Sequence, residues 1–140
     1  MPTFFRTKLV RITQKKFTVS VGAVVTNERN QVLLLDHVFR PGSGWGIPGG
    51  FIEHGEQIDE AIRRELMEET GLELENVRIY RTKTSGPHLE FLVRATGKGT
   101  AEVKSIEIKR LGWFEKDKLP EKMSKSQKEI ILEVLSKDAK

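Results

Sequence analysis

The sequence predicts an α+β fold in which a mixed sheet packs between helices. Three observations predict it. Short β-branched segments recur along the chain, two helical segments are interleaved with them, and stretches rich in glycine, proline and asparagine separate them. A length of 140 residues suits one domain, 1–140, with one core; two independent domains would be cramped.

Each element follows in order. Phe17 to Val25 alternates and is rich in β-branched residues, which predicts a strand. Asn27-Glu28-Arg29-Asn30 is a turn, and Gln31 to Asp36 is a second strand, so the two are expected to form a hairpin. From Arg40 to Gly50, five glycines and two prolines in eleven residues argue against ordinary helix or central strand. Gln57 to Thr70 has helical periodicity, with Gly71 placed as a left-handed stop. Asn76 to Lys83 and His88 to Thr96 are expected strands joined by a Ser85-Gly86-Pro87 turn. Ile106 to Phe114 is another. Ser124 with Gln127 resembles a capping box, and the helix behind it carries Ile130, Ile131, Val134 and Leu135 on one face, a core stripe.

Composition narrows the function classes. Hydrophobic residues at 37% and charged residues at 31% fit a soluble globular chain rather than disorder. The longest apolar runs, such as Val32 to Leu35, are far too short to span a bilayer, so no membrane is expected. Met1 to Arg11 lacks the apolar stretch and cleavage site of a secretory signal. With no cysteine, disulfides and thiolate metal sites are excluded, and a cytoplasmic location fits. The net charge of +4 favours anionic partners. Much of the excess comes from Lys116, Lys118, Lys122, Lys125, Lys128, Lys137 and Lys140, which read as a solvated face. No aromatic-rich basic motif accompanies them, so nucleic acid is compatible but not favoured as a partner. The sequence leaves the oligomeric state open, a homodimer included.

The chemistry concentrates in Arg64-Glu65-Leu66-Met67-Glu68-Glu69. At about 100° per residue, Glu65 and Glu69 lie together on the helix surface, with Glu68 about a quarter-turn away. Ile58 and Ile62 fall on nearly the same side, so the glutamates emerge near the edge of the buried face. Like charges four apart cost roughly 0.2–0.5 kcal/mol. Anions near a helix C-terminus oppose the macrodipole by about 0.3–1 kcal/mol. A divalent cation held by several carboxylates would reverse the sign of that problem, and Mg2+ takes hard oxygen ligands, completing its shell with phosphate and water. Taken alone, the cluster reads more readily as a solvated acidic face. The glycine-rich segment before it, which could bring backbone close to a ligand, is no more specific by itself.

Together the two are specific. Gly50 to Leu72 reads GFIEHGEQIDEAIRRELMEETGL and resembles the Nudix box, G-x5-E-x7-R-E-U-x-E-E-x-G-U with U a bulky aliphatic. Gly50, Glu56, Arg64, Glu65, Leu66, Glu68, Glu69, Gly71 and Leu72 all match, nine positions within 23 residues. Trp45 to Gly50 resembles the family's approach to the box, and Gly112-Trp113-Phe114 with Leu119-Pro120 its last strand and exit. The resemblance implies an α/β/α sandwich with a mixed central sheet and a loop–helix–loop catalytic motif. It implies Mg2+-dependent hydrolysis of a diphosphate linkage, with Mn2+ as a substitute. By the same resemblance, Glu65, Glu68, Glu69 and the carbonyl of Gly49 would hold metal. Arg64 would orient carboxylates by pairing with Glu56 or Glu68, as groups behind a metal's ligands do. A general base would be Glu65, or Glu107 on a later loop with Glu102 behind it, although each of the later two reads more readily as a plain surface glutamate.

The expected ligand is a small-molecule nucleotide. Asp36 to Arg40 precedes the glycine-rich loop and is expected at the mouth of a cleft. There Arg40 could meet a phosphate and Phe39 a base; Trp45 reads more readily as core. His54 within the box and Arg81 on the following strand are further candidate contacts. Pro87, fifteen residues after the box, is associated in this family with ADP-ribose-like substrates, but a turn proline explains it equally. The expected substrate class is therefore an ADP-sugar or related nucleoside diphosphate derivative. The alternatives are nucleoside triphosphate hydrolysis of the sanitising type and RNA 5′-end hydrolysis. A non-catalytic nucleotide-binding module is a different class, and the intact set of box glutamates argues against it.

Overall fold

A computed structural model describes residues 16–40 and 44–138. The expectations for Met1 to Arg11, for Pro41 to Ser43 and for Lys140 lie outside the described residues. In chain order the elements are β1 (Thr18–Thr26), β2 (Val32–His37), β3 (Trp45–Gly46), β4 (Gly49–Phe51), α1 (Ile58–Thr70), β5 (Glu73–Ser85), β6 (His88–Lys98), β7 (Ile108–Phe114) and α2 (Lys125–Asp138).

The sheet is mixed and open. Its main path runs β3-β2-β1-β6-β5, with β4 pairing β1 and β7 pairing β2. Among the described strands only β1 and β6 run parallel, in unbroken register from Thr18–His88 to Thr26–Thr96. Alternation along these strands sends side chains to two cores. Val21, Ala23, Val25, Leu33, Leu35, Val93 and Ala95 face α1, where they meet Ile62 and Leu66. Val24, Val32, Leu34 and Leu92 face α2, where they meet Ile130, Ile131, Val134 and Leu135. The result is the expected α/β/α sandwich. It also explains why Val32 to Leu35 is an unbroken apolar run: that strand is covered on both faces. Each such side chain, fully buried, contributes about 1.5–3 kcal/mol.

Two expectations are refined. The turn after β1 is built as foreseen, with Asn27 Oδ1 accepting the N–H groups of Arg29 and Gln31 at 3.0 Å each. Yet β1 and β2 pair at Thr26–Val32 and then part company. β4 takes the vacated edge of β1 through Ser20–Phe51, Val21–Gly50 and Gly22–Gly49, and β3 takes that of β2 through Leu35–Gly46 and Asp36–Trp45, while β7 lines the other edge of β2. The glycine-rich segment, expected as loop, contributes β3 and β4. Gly49 makes this close approach possible, since a Cβ there would collide with the carbonyl oxygen of Val21. Local composition disfavours strand; pairing with a strand already present overrides it.

The splaying of β1 from β2 positions the site. β4 leads directly into the turn before α1, so the glycine-rich backbone and the acidic helix face one another. No helix among the described residues is long and apolar enough to cross a membrane.

Candidate active site

Helix α1 starts without a side-chain cap at Gln57 and stops at Gly71. Gly71 has φ +71°, the left-handed conformation that glycine adopts without strain, and its N–H donates to Met67 O at 3.0 Å. The last helical carbonyls are served from outside: Glu102 N–H donates to Thr70 O and Lys104 N–H to Glu69 O, each at 2.9 Å. The segment following β6 therefore seals the acidic end of the helix and brings Glu107 to it.

Arg64 organises the outer side of the site. Its Nε donates to Glu56 Oε2 at 2.6 Å and its Nη2 to Glu56 Oε1 at 3.0 Å, a two-pronged pairing. Nη2 also reaches Phe51 O at 3.2 Å, while Nη1 reaches Glu65 at 3.0 Å and Glu68 at 3.4 Å. Hydrogen bonding to Arg64 holds the Glu56 carboxyl down at about 2, and the same bond raises the Arg64 guanidinium above its usual range. The expected choice between Glu56 and Glu68 thus has the answer that Arg64 touches both, and the Glu56 contact is the closer.

The inner side is the opposite. Glu69 is buried at 5% exposure, and its Oε2 has no hydrogen-bond partner among the described residues. Burial, then the charge of Glu65 and a hydrogen bond with it, push the Glu69 carboxyl up to about 8; Glu107 pushes the same way and Arg40 opposes. The Glu65 carboxyl is also raised, chiefly by burial. Gly50 makes room for it: a Cβ there would run into the Glu65 carboxylate.

These groups fit a divalent cation. A buried carboxylate oxygen without a donor is costly unless something positive meets it. Glu65 and Glu69 supply hard oxygens on one face, and the backbone of Gly50 lies against the Glu65 carboxylate. Among the described residues, no three carboxylate or imidazole groups form a metal-ligating cluster unaided. Mg2+ binds through one or two carboxylates and leaves the rest of its shell to phosphate and water, and Glu65 with Glu69 offers such a pair. Glu68 stands apart from the inner pair, mostly exposed and turned to Arg64.

Beside the pair lies a cleft of about 160 Å³, lined by Ser20, Arg40, Gly49, Phe51, His88, Glu90 and Gln127 among others. Typical small-molecule pockets hold roughly 300–1,000 Å³, so this one suits a single ring system. A larger depression of about 600 Å³ opens elsewhere, lined by Asn27, Arg29, Glu75 and Lys98 among others. No box residue borders it, so volume alone is a poor guide here.

The remaining expected site residues divide. Arg40 lines the cleft, and its charge acts on Glu69. Phe39 is 80% exposed, free to meet a ligand. Val38 N–H donates to Glu107 O at 2.8 Å, which ties the Phe39 segment to the Glu107 segment. His54 is exposed and outside the cleft lining. Arg81 is also outside it, donating through Nε to Glu133 Oε2 at 2.9 Å on α2. Trp45 packs edge-on against Phe114, with centroids 5.1 Å apart, as the core reading had it. The Pro87 carbonyl accepts Thr18 N–H at 2.9 Å, so this proline does turn work.

Three contributors were missed. His88 carries no ligand spacing, yet its Nε2 engages Ser20 Oγ at 2.8 Å and its Nδ1 engages Thr18 Oγ1. Glu90 sits on a strand with no local motif to mark it. Gln127 was read only as a capping residue. Its backbone does donate to Ser124 Oγ at 3.3 Å, but its side chain accepts Ile47 N–H at 2.9 Å, bracing the glycine-rich segment.

Comparison with known proteins agrees with this geometry. A family model described as the NUDIX domain matches residues 16–134. The human "8-oxo-dGDP phosphatase NUDT18" is 34% identical over 113 residues, covering 76% of this chain and 35% of that protein. The "NAD-capped RNA hydrolase NudC" of Pasteurella multocida is 32% identical over 89 residues, covering 61% and 33%. The chain thus spans about a third of the length of the curated relatives it matches. Among solved structures, the MutT protein of Bacillus halodurans superposes with a TM-score of 0.70 at 31% identity, covering 85% of this chain and 82% of that one. Nine matched box positions, an α/β/α sandwich that brings their side chains to one helix end, and these relatives lead to one conclusion: the chain belongs to the Nudix (MutT-like) hydrolase family.

Proposed function

We propose that this chain hydrolyses the diphosphate linkage of a nucleoside diphosphate derivative, of the ADP-ribose or nucleotide-sugar kind, in a reaction that needs Mg2+ or Mn2+. The observation that carries the reading is the buried Glu69 oxygen without a donor, set against Glu65 where the glycine-rich backbone meets the helix. Glu65, Glu69 and the Gly49 carbonyl would hold the cation, with Glu68 joining from the exposed side. When bound, the cation supplies positive charge that neutralises phosphate oxygens and acidifies the attacking water. Arg64 keeps Glu56, Glu65 and Glu68 in place throughout. Arg40 draws the anionic ligand toward the cleft. Glu107 is exposed and close enough for its charge to act on Glu69. It takes the proton of the water as the water's oxygen bonds to phosphorus and the bridging P–O bond breaks. The products are a nucleoside monophosphate and a phosphorylated remainder.

The names of the similar proteins support the class, since 8-oxo-dGDP and NAD both carry a diphosphate on a nucleoside. Incubation with ADP-ribose, a nucleoside diphosphate and a nucleoside triphosphate, each with Mg2+ in ¹⁸O-water, tests the reading. Monophosphate products, ¹⁸O in one product phosphate and no turnover with chelator are expected. Cleavage of NAD-capped RNA with every small nucleotide left intact would instead assign the chain to RNA 5′ ends.

A further inference from the structure

His37 is a half-buried base that the hydrolytic chemistry leaves unused. It ends β2, and its backbone N–H and its ring Nδ1 both meet the carbonyl oxygen of Gly44, at 2.7 Å and 3.1 Å. The backbone bond continues the β2–β3 pairing beyond Asp36–Trp45; the ring bond is added by the side chain alone. A carbonyl oxygen only accepts, so Nδ1 carries the proton and Nε2 a lone pair. That Nε2 is buried without a partner among the described residues. Burial, then the charge of Arg40, hold the imidazole below its usual pKa, so the ring stays neutral. Gly44 permits the closure, since a Cβ there would run into Asp36 Oδ1 and the His37 carbonyl oxygen. The two joined residues bracket Arg40. Its guanidinium returns over the α-carbon of Gly46, where a Cβ would collide with Nη1. Nη1 is buried with no partner among the described residues, while Glu90 and Glu69 act on the group only through their charge. With nothing bonded to Nη1, the guanidinium is placed by the backbone that carries it, and the His37–Gly44 closure holds that backbone.

We propose that His37 is a positioning residue: its Nδ1–H clamps the Gly44 carbonyl and so holds Arg40 at the cleft, in place for a diphosphate. The proposal rests on the reading above that Arg40 draws the anionic ligand, and it adds the side chain through which that arginine is set. Two physical effects support it. A backbone ordered before the ligand arrives spares the entropy of ordering it on binding. A neutral ring also suits the place, because a protonated one would set a second cation beside Arg40 and bury an N–H without an acceptor. The same segment touches the proposed base by a different route, since Val38 N–H donates to Glu107 O at 2.8 Å. The two routes differ in their kinetics. Loss of a contact that serves ground state and transition state alike raises KM, whereas displacement of the base lowers kcat.

Calorimetric titration of the full chain with imidodiphosphate and Mg2+ reads binding apart from turnover, because the P–N–P link resists hydrolysis. His37→Leu keeps much of the bulk and removes the donor; it should weaken imidodiphosphate about five- to tenfold. His37→Asn carries an N–H where Nδ1 stands and should stay within about twofold of the parent chain. His37→Gln, whose amide reaches the place of Nε2 instead, should weaken binding as the leucine does, and it serves if the leucine variant fails to fold. With Arg40→Gln already present, His37→Leu should add less than about twofold, since the two act as one unit. With ADP-ribose as substrate, His37→Leu should raise KM in step with the lost binding and leave kcat within about threefold. Circular dichroism checks that each variant folds. No binding of imidodiphosphate by the parent chain, full additivity in the double variant, or an asparagine variant as weak as the leucine one would each overturn the proposal. A fall in kcat with KM unmoved would place the effect on Glu107 and overturn it as well. Coupled loss of imidodiphosphate binding in a chain that hydrolyses no nucleotide derivative would uphold the positioning role and sink the activity.

Discussion

The two helices have nearly equal lengths, 13 and 14 residues, and opposite local logic. Helix α2 obeys the rules of a stable helix. Ser124 caps its start, Lys137 stands in its last turn over the Tyr80 ring at 5.3 Å, and Glu133 pairs with Arg81. Helix α1 has no side-chain cap, no base in its last turn, and a buried and a part-buried carboxyl together near its negative end. Both bury apolar stripes on the same sheet, so packing cannot explain the difference. Departures from local consistency concentrate where a protein does chemistry. Here α2 covers a sheet, while α1 holds an unfavourable arrangement that the proposed cation would relieve.

The comparison can be broken most decisively at Glu69. Glu69→Gln should lower turnover by roughly a hundredfold or more while leaving the melting temperature unchanged or higher, because it keeps the shape of the neutral buried acid and removes the proposed ligand. Near-native turnover would make the acidic end of α1 merely tolerated. Arg64→Ala should cost about 2–3 kcal/mol in denaturant unfolding and depress activity as well, since it strips the two-pronged bond from Glu56 and the support from Glu65. Arg64→Lys should recover part of the stability but little of the activity, a lysine lacking the fork.

A smaller effect lies in pH. Glu69 is pushed up to about 8 in the folded chain, against about 4.3 for an unfolded glutamate. A raised pKa means that the folded state favours the neutral acid. Its stabilising contribution is therefore full below the unfolded value and is lost as pH rises through the folded one. Metal-free protein should lose stability between about pH 4.3 and 8. Glu69→Gln should flatten that slope, and added Mg2+ should offset it. Thermal melts across pH, with and without chelator, measure this directly; a profile identical in the variant would deny Glu69 the role. The smallest effect belongs to α2. Ser124→Ala should cost about 0.5–1 kcal/mol and leave turnover unaltered. A large loss of activity there would show that α2 does more than cover the sheet.

Legibility followed the range of the interactions. The acidic helix could be read because its pattern sits within 23 consecutive residues. The stop at Gly71 and the apolar stripe of α2 are equally local. β3 and β4 were not legible, because glycine-rich chain becomes strand only when β1 and β2 part and offer edges. Glu90 was invisible for a related reason: an isolated strand glutamate acquires meaning only from Arg40, fifty positions away. Gln127 was half-read, since its backbone belongs to a local cap and its side chain to a segment eighty residues upstream.

The amino-acid order by itself therefore determined both helices and the strands outside the glycine-rich segment, the two-sided core and the box with its carboxylates, because periodicity and motif spacing act over a few turns of chain. The tertiary structure alone decided which carboxylate lies buried without a partner, which segment seals the end of α1, and which groups face one another across the cleft. Those are consequences of burial and of contacts between distant residues, and burial is a property that no short stretch of chain possesses until the rest has packed around it.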